Sequence, residues 1–313
     1  MTAWKILLTD GLEESGQEIL RASAEVHDRS GISAEDLLRE IGEYNALIVR
    51  GRTKVTPAVL AAGQNLKVVG RAGVGVDNID LNAAREHGVI VVNSPLATTV
   101  AVVELTFGLI LSMVREIPRA DAAMKAGKWI KKELEGSEIY GKTLGVIGFG
   151  RIGAGVGQRA TAFGMKVLGY DPLIAAVDIT QRGGEPVGLD ELYRRSDVIT
   201  MHIPLTPESR GMMNTEAFSK MKHGALVVCA ARGGVIDEDA LLAALNSGQV
   251  AGAALDVFSA EPPGLTALVA HPKVIATPHI GAQTVESQGR AAIDISNEIL
   301  NALHGKPLRW KLA

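Results

Sequence analysis

A glycine-rich turn between an apolar run and a helical stretch constrains the fold of this chain most strongly. The run at 143–148 ends in Gly148 and is followed by Gly150 and Gly153, so the three glycines have the spacing G-x-G-x-x-G. In such a turn the first glycine permits the tight bend, the second lets a pyrophosphate approach the backbone, and the third lets the helix pack closely on the strand. The helix N-terminus would then face the phosphates. The motif therefore predicts a βαβ unit that binds a dinucleotide.

An aspartate at the end of the next predicted strand indicates which dinucleotide this is. Asp171 follows the run Lys166–Tyr170 and precedes Pro172. A carboxylate there can accept hydrogen bonds from the adenosine ribose hydroxyls, and it would repel a 2′-phosphate. The alternative is a simple turn aspartate before the proline. The strand–turn–helix context favours the cofactor role, so we expect NAD rather than NADP.

Short apolar runs alternate with helical stretches along the whole chain. The first series of runs extends from Lys5–Thr9 to Val89–Asn93, and the second from Thr143–Gly148 to Val274–Ala276. One long helix from Val100 to about Lys125 is predicted between the two series, and a last helix is predicted at Val285–Leu303. Short buried strands that alternate with helices are typical of parallel sheets. The pattern thus predicts an α/β protein.

Length, charge and cysteine content narrow the class of protein further. The 313 residues are enough for two domains, and 32 basic against 35 acidic residues give a net charge of −3. This balance offers no basic surface for nucleic acid or for an anionic membrane. The single cysteine, Cys229, excludes an internal disulfide and a thiolate-rich metal site, and the histidines show no metal-ligand spacing. With neither a signal-peptide pattern nor a long apolar run, a cytosolic enzyme is expected.

Three residues suited to redox chemistry follow successive runs of the second series. They are Arg232, Glu261 and His279, and the carboxyl ends of parallel strands meet at the sheet edge where ligands bind. Oxidation of a 2-hydroxy acid needs an arginine to hold the carboxylate, a histidine to take the hydroxyl proton, and a carboxylate to orient the ring. Taken singly, each residue is more simply explained as a surface charge or a structural histidine. Together they match the three roles.

The chain resembles the D-isomer-specific 2-hydroxyacid dehydrogenase family, and within it most of all the catalytic core of the members that oxidise phosphoglycerate. The matching stretches occur in family order over nearly the whole chain. They are VRGRTKVT (49–56), GRAGVGVDNID (70–80), VNSP (92–95), ELT (104–106), the glycine motif region (141–153), GYDP (169–172), ARGGVIDE (231–238), AALDVFSAEPP (253–263) and TPHIGA (277–282).

The resemblance implies a role for each residue at a matching position. Arg232 matches the catalytic arginine, Glu261 its acidic partner and His279 the proton-transfer residue. Asp171 matches the ribose-binding acid, and Asp256 the residue that faces the nicotinamide carboxamide. Besides the three glycines, the implied cofactor-binding positions are Val74, Arg151, Ile152, Ile203, Ala230, Ala231, Gly281 and Ala282. The implied substrate-binding positions are Arg50, Lys54, Arg71, Gly73, Val74, Gly75 and Lys131.

The resemblance also implies an architecture of two doubly wound parallel-sheet domains. A Rossmann NAD-binding domain of residues 97–283 would be inserted in a flavodoxin-like substrate domain of residues 1–96 and 284–313. The substrate would bind in the cleft, and its closure would exclude water. Family members pair through the cofactor domain, so a homodimer is expected, and the apolar helix from Val100 suits such an interface. The alternative for that helix is the core of a monomer.

The expected reaction is the NAD-dependent oxidation of 3-phosphoglycerate, the first step of serine biosynthesis. Lys131 stands where phosphoglycerate enzymes often have arginine, and a lysine keeps the charge but loses the bidentate fork. Another 2-hydroxy acid, such as glycerate (the reduced form of hydroxypyruvate), the glycolate/glyoxylate pair or sulfolactate, is therefore the alternative substrate. The family also includes non-catalytic NAD-sensing corepressors, but the presence of Arg232, Glu261 and His279 favours an enzyme.

Overall fold

The computed structural model describes residues 4–313, and the chain divides into two compact units. The first unit consists of the residues up to Thr99 together with Ala282–Ala313, and the second unit is Val100–Gly281. Each unit is built on its own parallel sheet. Between residues 4 and 313, no helix combines the length and apolar character that crossing a bilayer requires.

Strands and helices alternate along the chain, as the sequence predicted. The strands are β1 (Trp4–Leu8), β2 (Ala24–Asp28), β3 (Ala46–Val49), β4 (Val68–Arg71), β5 (Ile90–Asn93), β6 (Thr143–Ile147), β7 (Lys166–Tyr170), β8 (Glu185–Pro186), β9 (Val198–Met201), β10 (Ala225–Cys229), β11 (Val250–Leu255) and β12 (Val274–Ala276). The helices are α1 (Glu14–Arg21), α2 (Ala34–Glu40), α3 (Pro57–Ala62), α4 (Leu81–Glu86), α5 (Thr99–Val114), α6 (Ile117–Lys125), α7 (Arg151–Ala162), α8 (Ala176–Gln181), α9 (Leu189–Arg195), α10 (Thr215–Lys220), α11 (Glu238–Ser247) and α12 (Val285–Leu303). Two 3-10 turns lie at Ile41–Glu43 and Lys131–Glu133.

The first unit has a five-stranded parallel sheet in the order β2-β1-β3-β4-β5. Successive side chains of a strand point to opposite faces, and both faces are covered here. In β1, Leu7 packs into the core on one face, while Ile6 and Leu8 pack into the core on the other, together with Ile295 and Ile299 of α12. Because both faces are buried, these strands appear in the sequence as continuous apolar runs.

The second unit has a seven-stranded parallel sheet in the order β12-β11-β10-β9-β6-β7-β8. The chain winds from β6 to β7 and β8 on one side, and then returns to β9 and the later strands on the other side. The strand order therefore reverses at β6, and open α/β sheets bind ligands at the carboxyl end of such a reversal. Together the two sheets confirm the predicted α/β class with doubly wound parallel sheets.

The prediction of one long helix from Val100 to about Lys125 is wrong, because the chain forms two helices, α5 and α6, with a break between them. Glu116, at the break, has φ = 50°, in the left-handed region. Pro118 lies in the first turn of α6, where its missing N–H leaves no helical hydrogen bond unmade. In the middle of one continuous helix the same proline would remove a hydrogen bond and clash with the preceding turn. The proline thus starts a second helix.

Candidate active site

The predicted proton-transfer pair forms at the carboxyl edge of the second sheet. Glu261 lies in the segment after β11, His279 lies after β12, and Glu261 Oε2 is 2.7 Å from His279 Nδ1. The other carboxylate oxygen, Oε1, accepts a hydrogen bond from the backbone N–H of Phe258 at 3.1 Å. Both side chains remain accessible, 37% for Glu261 and 48% for His279. The carboxylate therefore has a fixed position, and the imidazole keeps an open side.

The backbone at His279 adopts a conformation that is rare for a residue with a side chain. Its φ is 52°, in the left-handed region. The fully buried carboxylate of Asp256 fixes this turn, because it accepts hydrogen bonds from Thr277 Oγ1 at 2.6 Å and from the backbone N–H groups of Ile280 and Gly281, both at 2.8 Å. These contacts flank His279 and hold it in its unusual geometry. The cofactor contact expected of Asp256 stays a prediction, since these bonds lie within the chain.

The segment that carries Arg232 contacts the turn that carries Glu261. Arg232 is half-buried, and its Nη1 donates to the carbonyl of Ala231 at 2.7 Å. The next residue, Gly233, packs so closely on the carbonyl group of Phe258 that a Cβ atom at this position would overlap it. Since the N–H of Phe258 holds Glu261, only backbone atoms separate the arginine segment from the carboxylate of the pair.

The glycine motif forms the strand–turn–helix cradle that its spacing predicted. Gly148 has φ = 90° and lies under the carbonyl of His202, where a Cβ would approach the oxygen to 2.6 Å. A Cβ on Gly153 would overlap the carbonyl oxygen of Gly148, which explains the third glycine. Gly150, by contrast, faces open space, and as the N-cap of α7 it has no side chain to bond the first N–H groups of the helix. This cradle fits the pyrophosphate of NAD.

Asp171 lies directly beside this cradle. Its Oδ2 accepts from the backbone N–H of Phe149, inside the motif, at 2.8 Å, and its Oδ1 accepts from Leu173 at 2.9 Å. A carboxylate has about four acceptor sites, so two remain for ribose hydroxyls. Arg182, which sequence reasoning missed, donates from Nη1 to the carbonyl of Phe149 at 2.9 Å. Phe149 is thus held at both its N–H and its carbonyl, although no motif signals Arg182.

The remaining cofactor positions fall in both units. Ile203 follows β9, and its Cγ2 lies 2.6 Å from the place of a Cβ on Gly148, so it borders the glycine turn. Arg151 and Ile152 form the first turn of α7, Ala230 and Ala231 directly follow β10, and Gly281 bonds to Asp256. Val74 and Ala282 belong to the first unit. Their contacts with a cofactor stay predictions.

In the first unit, a buried carboxylate that sequence reasoning missed holds the loop carrying Arg50. Asp10, whose side chain is 4% exposed, accepts from the backbone N–H groups of Arg50 at 2.8 Å and Thr53 at 3.0 Å, and from Thr53 Oγ1 at 2.5 Å. Burial alone would raise the pKa of Asp10, but these hydrogen bonds and the nearby Arg52 charge lower it below its usual value. In the sequence Asp10 only follows the apolar run Lys5–Thr9, and no motif marks it.

A second set of contacts fixes the backbone at 73–75. The side-chain amide of Asn93 donates to the carbonyl of Val74 at 2.7 Å, and the N–H of Ser94 donates to the carbonyl of Gly73 at 2.8 Å. The guanidinium of Arg71 lies over Gly73, where a Cβ would overlap Nη1. The predicted substrate residues of this loop are therefore held in a defined conformation.

The side chains of the other predicted substrate residues are more exposed. Arg50 Nη2 donates to Gln283 Oε1 at 3.4 Å, a long hydrogen bond between exposed groups. Lys54 is exposed, and so is Lys131 in its 3-10 turn. The contacts of these three side chains with a substrate stay predictions.

Comparisons with known proteins identify the family of this chain. Residues 107–281 match the NAD binding domain of the D-isomer specific 2-hydroxyacid dehydrogenases. The chain is 48% identical over 303 residues to a D-3-phosphoglycerate dehydrogenase of Methanocaldococcus jannaschii, which covers 96% of this chain but only 58% of that protein.

Solved structures show the same fold over the whole chain. A glyoxylate reductase from Paecilomyes thermophila superposes with a TM-score of 0.91 at 29% identity, covering 100% of this chain and 99% of that one. A D-lactate dehydrogenase from Aquifex aeolicus, complexed with NAD and lactic acid, superposes with a TM-score of 0.84 at 32% identity over 96% of each chain. The chain belongs to the D-isomer specific 2-hydroxyacid dehydrogenase family, and residues 107–281 are its NAD-binding domain.

Proposed function

We propose that this chain catalyses the NAD-dependent oxidation of 3-phosphoglycerate to 3-phosphohydroxypyruvate. The observation that carries the proposal is the 2.7 Å contact between Glu261 and His279 at the carboxyl edge of the dinucleotide-binding sheet. It supplies an oriented base where a nicotinamide cofactor is expected to bind. The substrate is inferred from the relative named D-3-phosphoglycerate dehydrogenase, which matches 96% of this chain.

His279 takes the hydroxyl proton in this proposal. Because Glu261 engages Nδ1, Nε2 is the ring nitrogen left to accept the proton. The carboxylate favours the protonated ring that forms, and it fixes the orientation of the imidazole. Bound NAD supplies the hydride acceptor. His202, also in the second unit, is a poor alternative base because burial lowers its pKa to about 3.

Arg232 binds the substrate carboxylate in the same proposal. Its guanidinium can offer two parallel N–H groups to a carboxylate, and a positive charge close to the carbonyl oxygen polarises it. The contact between Gly233 and the Phe258 carbonyl holds the arginine segment against the turn that bears Glu261. Loss of the arginine should therefore reduce both substrate binding and turnover.

The phosphate of the substrate is assigned to the basic groups of the first unit. The Asp10 and Asn93 contacts give a defined backbone to the segments carrying Arg50, Arg71 and Gly73. One charge-assisted hydrogen bond to a substrate anion contributes roughly 1.5–3 kcal/mol, which corresponds to tenfold or more in kcat/KM. The alternative is a smaller 2-hydroxy acid, which the resemblance to a glyoxylate reductase structure favours.

The deciding experiment compares 3-phosphohydroxypyruvate with hydroxypyruvate, which differ only by the phosphate, in an NADH-consumption assay. We expect a much higher kcat/KM for the phosphorylated substrate, and a loss confined to it in Arg50→Ala. Arg29→Ala is the matched control, since Arg29 is a surface arginine of the same unit that is paired with Glu40. Equal kcat/KM for the two substrates would refute phosphoglycerate and favour the smaller acid.

We also propose that the enzyme works as a cytoplasmic homodimer without nucleic acid. In the second unit, exposed apolar side chains occur at Val100, Ile117, Met124, Trp129 and Tyr140, and a second copy could cover them. Light scattering after gel filtration should give twice the mass of 32.9 kDa, and a monomer would refute the dimer.

A further inference from the structure

We propose that Glu238 is a positioning residue for the Glu261–His279 pair, an inference that rests on the proposed dehydrogenase function. Glu238 Oε1 accepts a hydrogen bond from the backbone N–H of Ser259 at 2.6 Å. Ser259 directly follows Phe258, whose own N–H bonds to Glu261. Glu238 therefore holds the turn at 258–261, from which the carboxylate of Glu261 reaches His279.

The backbone on which Glu238 stands is rigid. Glu238 is the first residue of α11, and the N-cap side chain of Asp237 accepts from Ala240 N at 3.0 Å. The N–H of Asp237 donates to the carbonyl of Met213 at 3.0 Å, and Met213 donates in turn to Val235 at 3.2 Å. Val235 and Met213 are both fully buried. The backbone of Glu238 therefore has a fixed position.

The turn that Glu238 holds is much less supported. Phe258 is buried, but Ser259, Ala260 and Glu261 are all exposed. Packing therefore fixes the turn only at its beginning, where the Phe258 carbonyl contacts Gly233. A hydrogen bond to a carboxylate is stronger than one between neutral groups. The hydrogen bond from Ser259 to Glu238 therefore restrains the exposed residues that connect the buried Phe258 to Glu261.

Glu238 also lies close to the arginine of the proposed site. A cavity of about 10 Å³, too small for more than one water, is lined by residues that include Arg232, Gly233 and Glu238. The carboxylate of Glu238 thus borders the arginine segment and bonds to the Glu261 turn. Its loss would loosen the contact between the two segments without removing any group that touches the substrate.

Three variants and one control test this role. Glu238→Ala removes the hydrogen-bond acceptor. Glu238→Asp shortens the side chain by one methylene, and Glu238→Gln keeps the chain length and one acceptor oxygen. Asp239→Ala is the control, because Asp239 is an exposed carboxylate in the same first turn of α11. It reports what the loss of any negative charge does at this helix end.

We expect kcat to fall roughly tenfold in Glu238→Ala and in Glu238→Asp, with the KM for NAD within twofold, since a misplacement of about 1 Å costs up to 10²-fold in rate. Glu238→Gln should restore most of the rate.

The chemical shifts of the His279 ring protons at a fixed pH, assigned by NMR with His279→Ala, should change in Glu238→Ala and Glu238→Asp and stay near the wild-type values in Glu238→Gln and Asp239→Ala, because they report the position of the Glu261 carboxylate beside the ring. This measurement needs no turnover, so it tests Glu238 even if the wild type proves inactive on phosphoglycerate, and kinetics can use whichever 2-hydroxy acid the wild type oxidises. If Glu238→Ala fails to fold, Glu238→Asp provides the same comparison. The proposal is overturned if Glu238→Ala or Glu238→Asp matches Asp239→Ala in kcat and in the His279 ring-proton shifts, or if Glu238→Gln loses as much activity as they do.

Discussion

Replacing Asp10 by asparagine should destabilise the first unit and impair the substrate loop in a pH-dependent manner. Oδ2 of Asp10 accepts two backbone N–H bonds, from Arg50 and Thr53, while Oδ1 accepts the Thr53 hydroxyl. An asparagine can keep its carbonyl oxygen towards the two N–H groups, and the hydroxyl can rotate to accept from the new amide. What is lost is the charge assistance of the bonds.

The size of the effect follows from these contacts. A hydrogen bond to a charged group contributes about 1.5–3 kcal/mol and a neutral one about 0.5–1.5 kcal/mol, so two weakened backbone bonds should cost roughly 2 kcal/mol in the free energy of unfolding. The ion pair with Arg52 at 3.4 Å adds little, because the Arg52 side chain is 51% exposed. The kcat/KM for the phosphorylated substrate should also fall, with NAD affinity unchanged.

The pH dependence has a definite sign. The pKa of Asp10 is lowered in the folded protein, so the carboxylate contributes its stability in full above the unfolded pKa of about 3.9. That contribution is lost as the pH falls through the lower folded pKa. The difference in stability between the wild type and Asp10→Asn should therefore be constant from pH 7 to about 5 and shrink below pH 4.

Urea denaturation followed by tryptophan fluorescence measures this difference. In a Trp129→Phe background, the remaining tryptophans, Trp4 and Trp310, both belong to the first unit. Asp28→Asn is the control, because Asp28 is an exposed carboxylate at the end of β2, in the same sheet, and accepts hydrogen bonds from Ser30. A loss below about 0.5 kcal/mol at pH 7, or a difference that persists unchanged at low pH, would contradict the assigned role of Asp10.

The other predictions concern the second unit. His279→Ala should lower kcat by about 10²–10⁴ with NADH binding retained by fluorescence titration, and near-normal turnover would remove it from the mechanism. Asp171→Ser should weaken NAD binding and relieve the repulsion of NADP, measured as the ratio of kcat/KM for the two cofactors; equal use of both by the wild type would refute this role. Gly233→Ala should displace the Phe258 carbonyl and lower kcat by roughly 10²-fold, whereas Gly289→Ala, with open space around it, should leave kcat unchanged.

The features that sequence reasoning predicted well are those that depend on local chemistry. Aspartate is a favoured N-cap residue, and Asp80 Oδ1 accepts from the N–H groups of Asn82 and Ala83 at the start of α4. The glycine motif and the carboxylate after β7 were recognisable because phosphate and ribose binding demand particular residues at short spacings. Strands buried on both faces also give a strong apolar signal.

The elements that were missed lack such a signal. β2 at the sheet edge has the sequence AEVHD and is only partly buried, so no apolar run marks it. β8 is two residues long and contains Pro186, which is tolerated because it is also an edge strand. The break between α5 and α6 needs the left-handed Glu116, which the residue type does not favour.

Contacts between distant segments were beyond sequence reasoning for a different reason. Gly233 meets Phe258, and Asp10 meets Arg50 and Thr53, across separations that only the folded sheet brings together. Nothing in the local sequence distinguishes a glycine needed for close packing from one needed for a turn. The residue types of the candidate site were therefore predictable, and the groups that hold them in place were not.

The position of α12 in the chain has a consequence for synthesis on the ribosome. This helix covers one face of the first sheet through Ile295 and Ile299, yet it is translated after the entire second unit. At about 5–20 residues per second, roughly 10–40 s pass between the emergence of β5 and that of α12. Throughout this interval Ile6, Leu8 and Ile48 lack their covering helix, so the nascent sheet presents an apolar face to chaperones while the second unit is being synthesised.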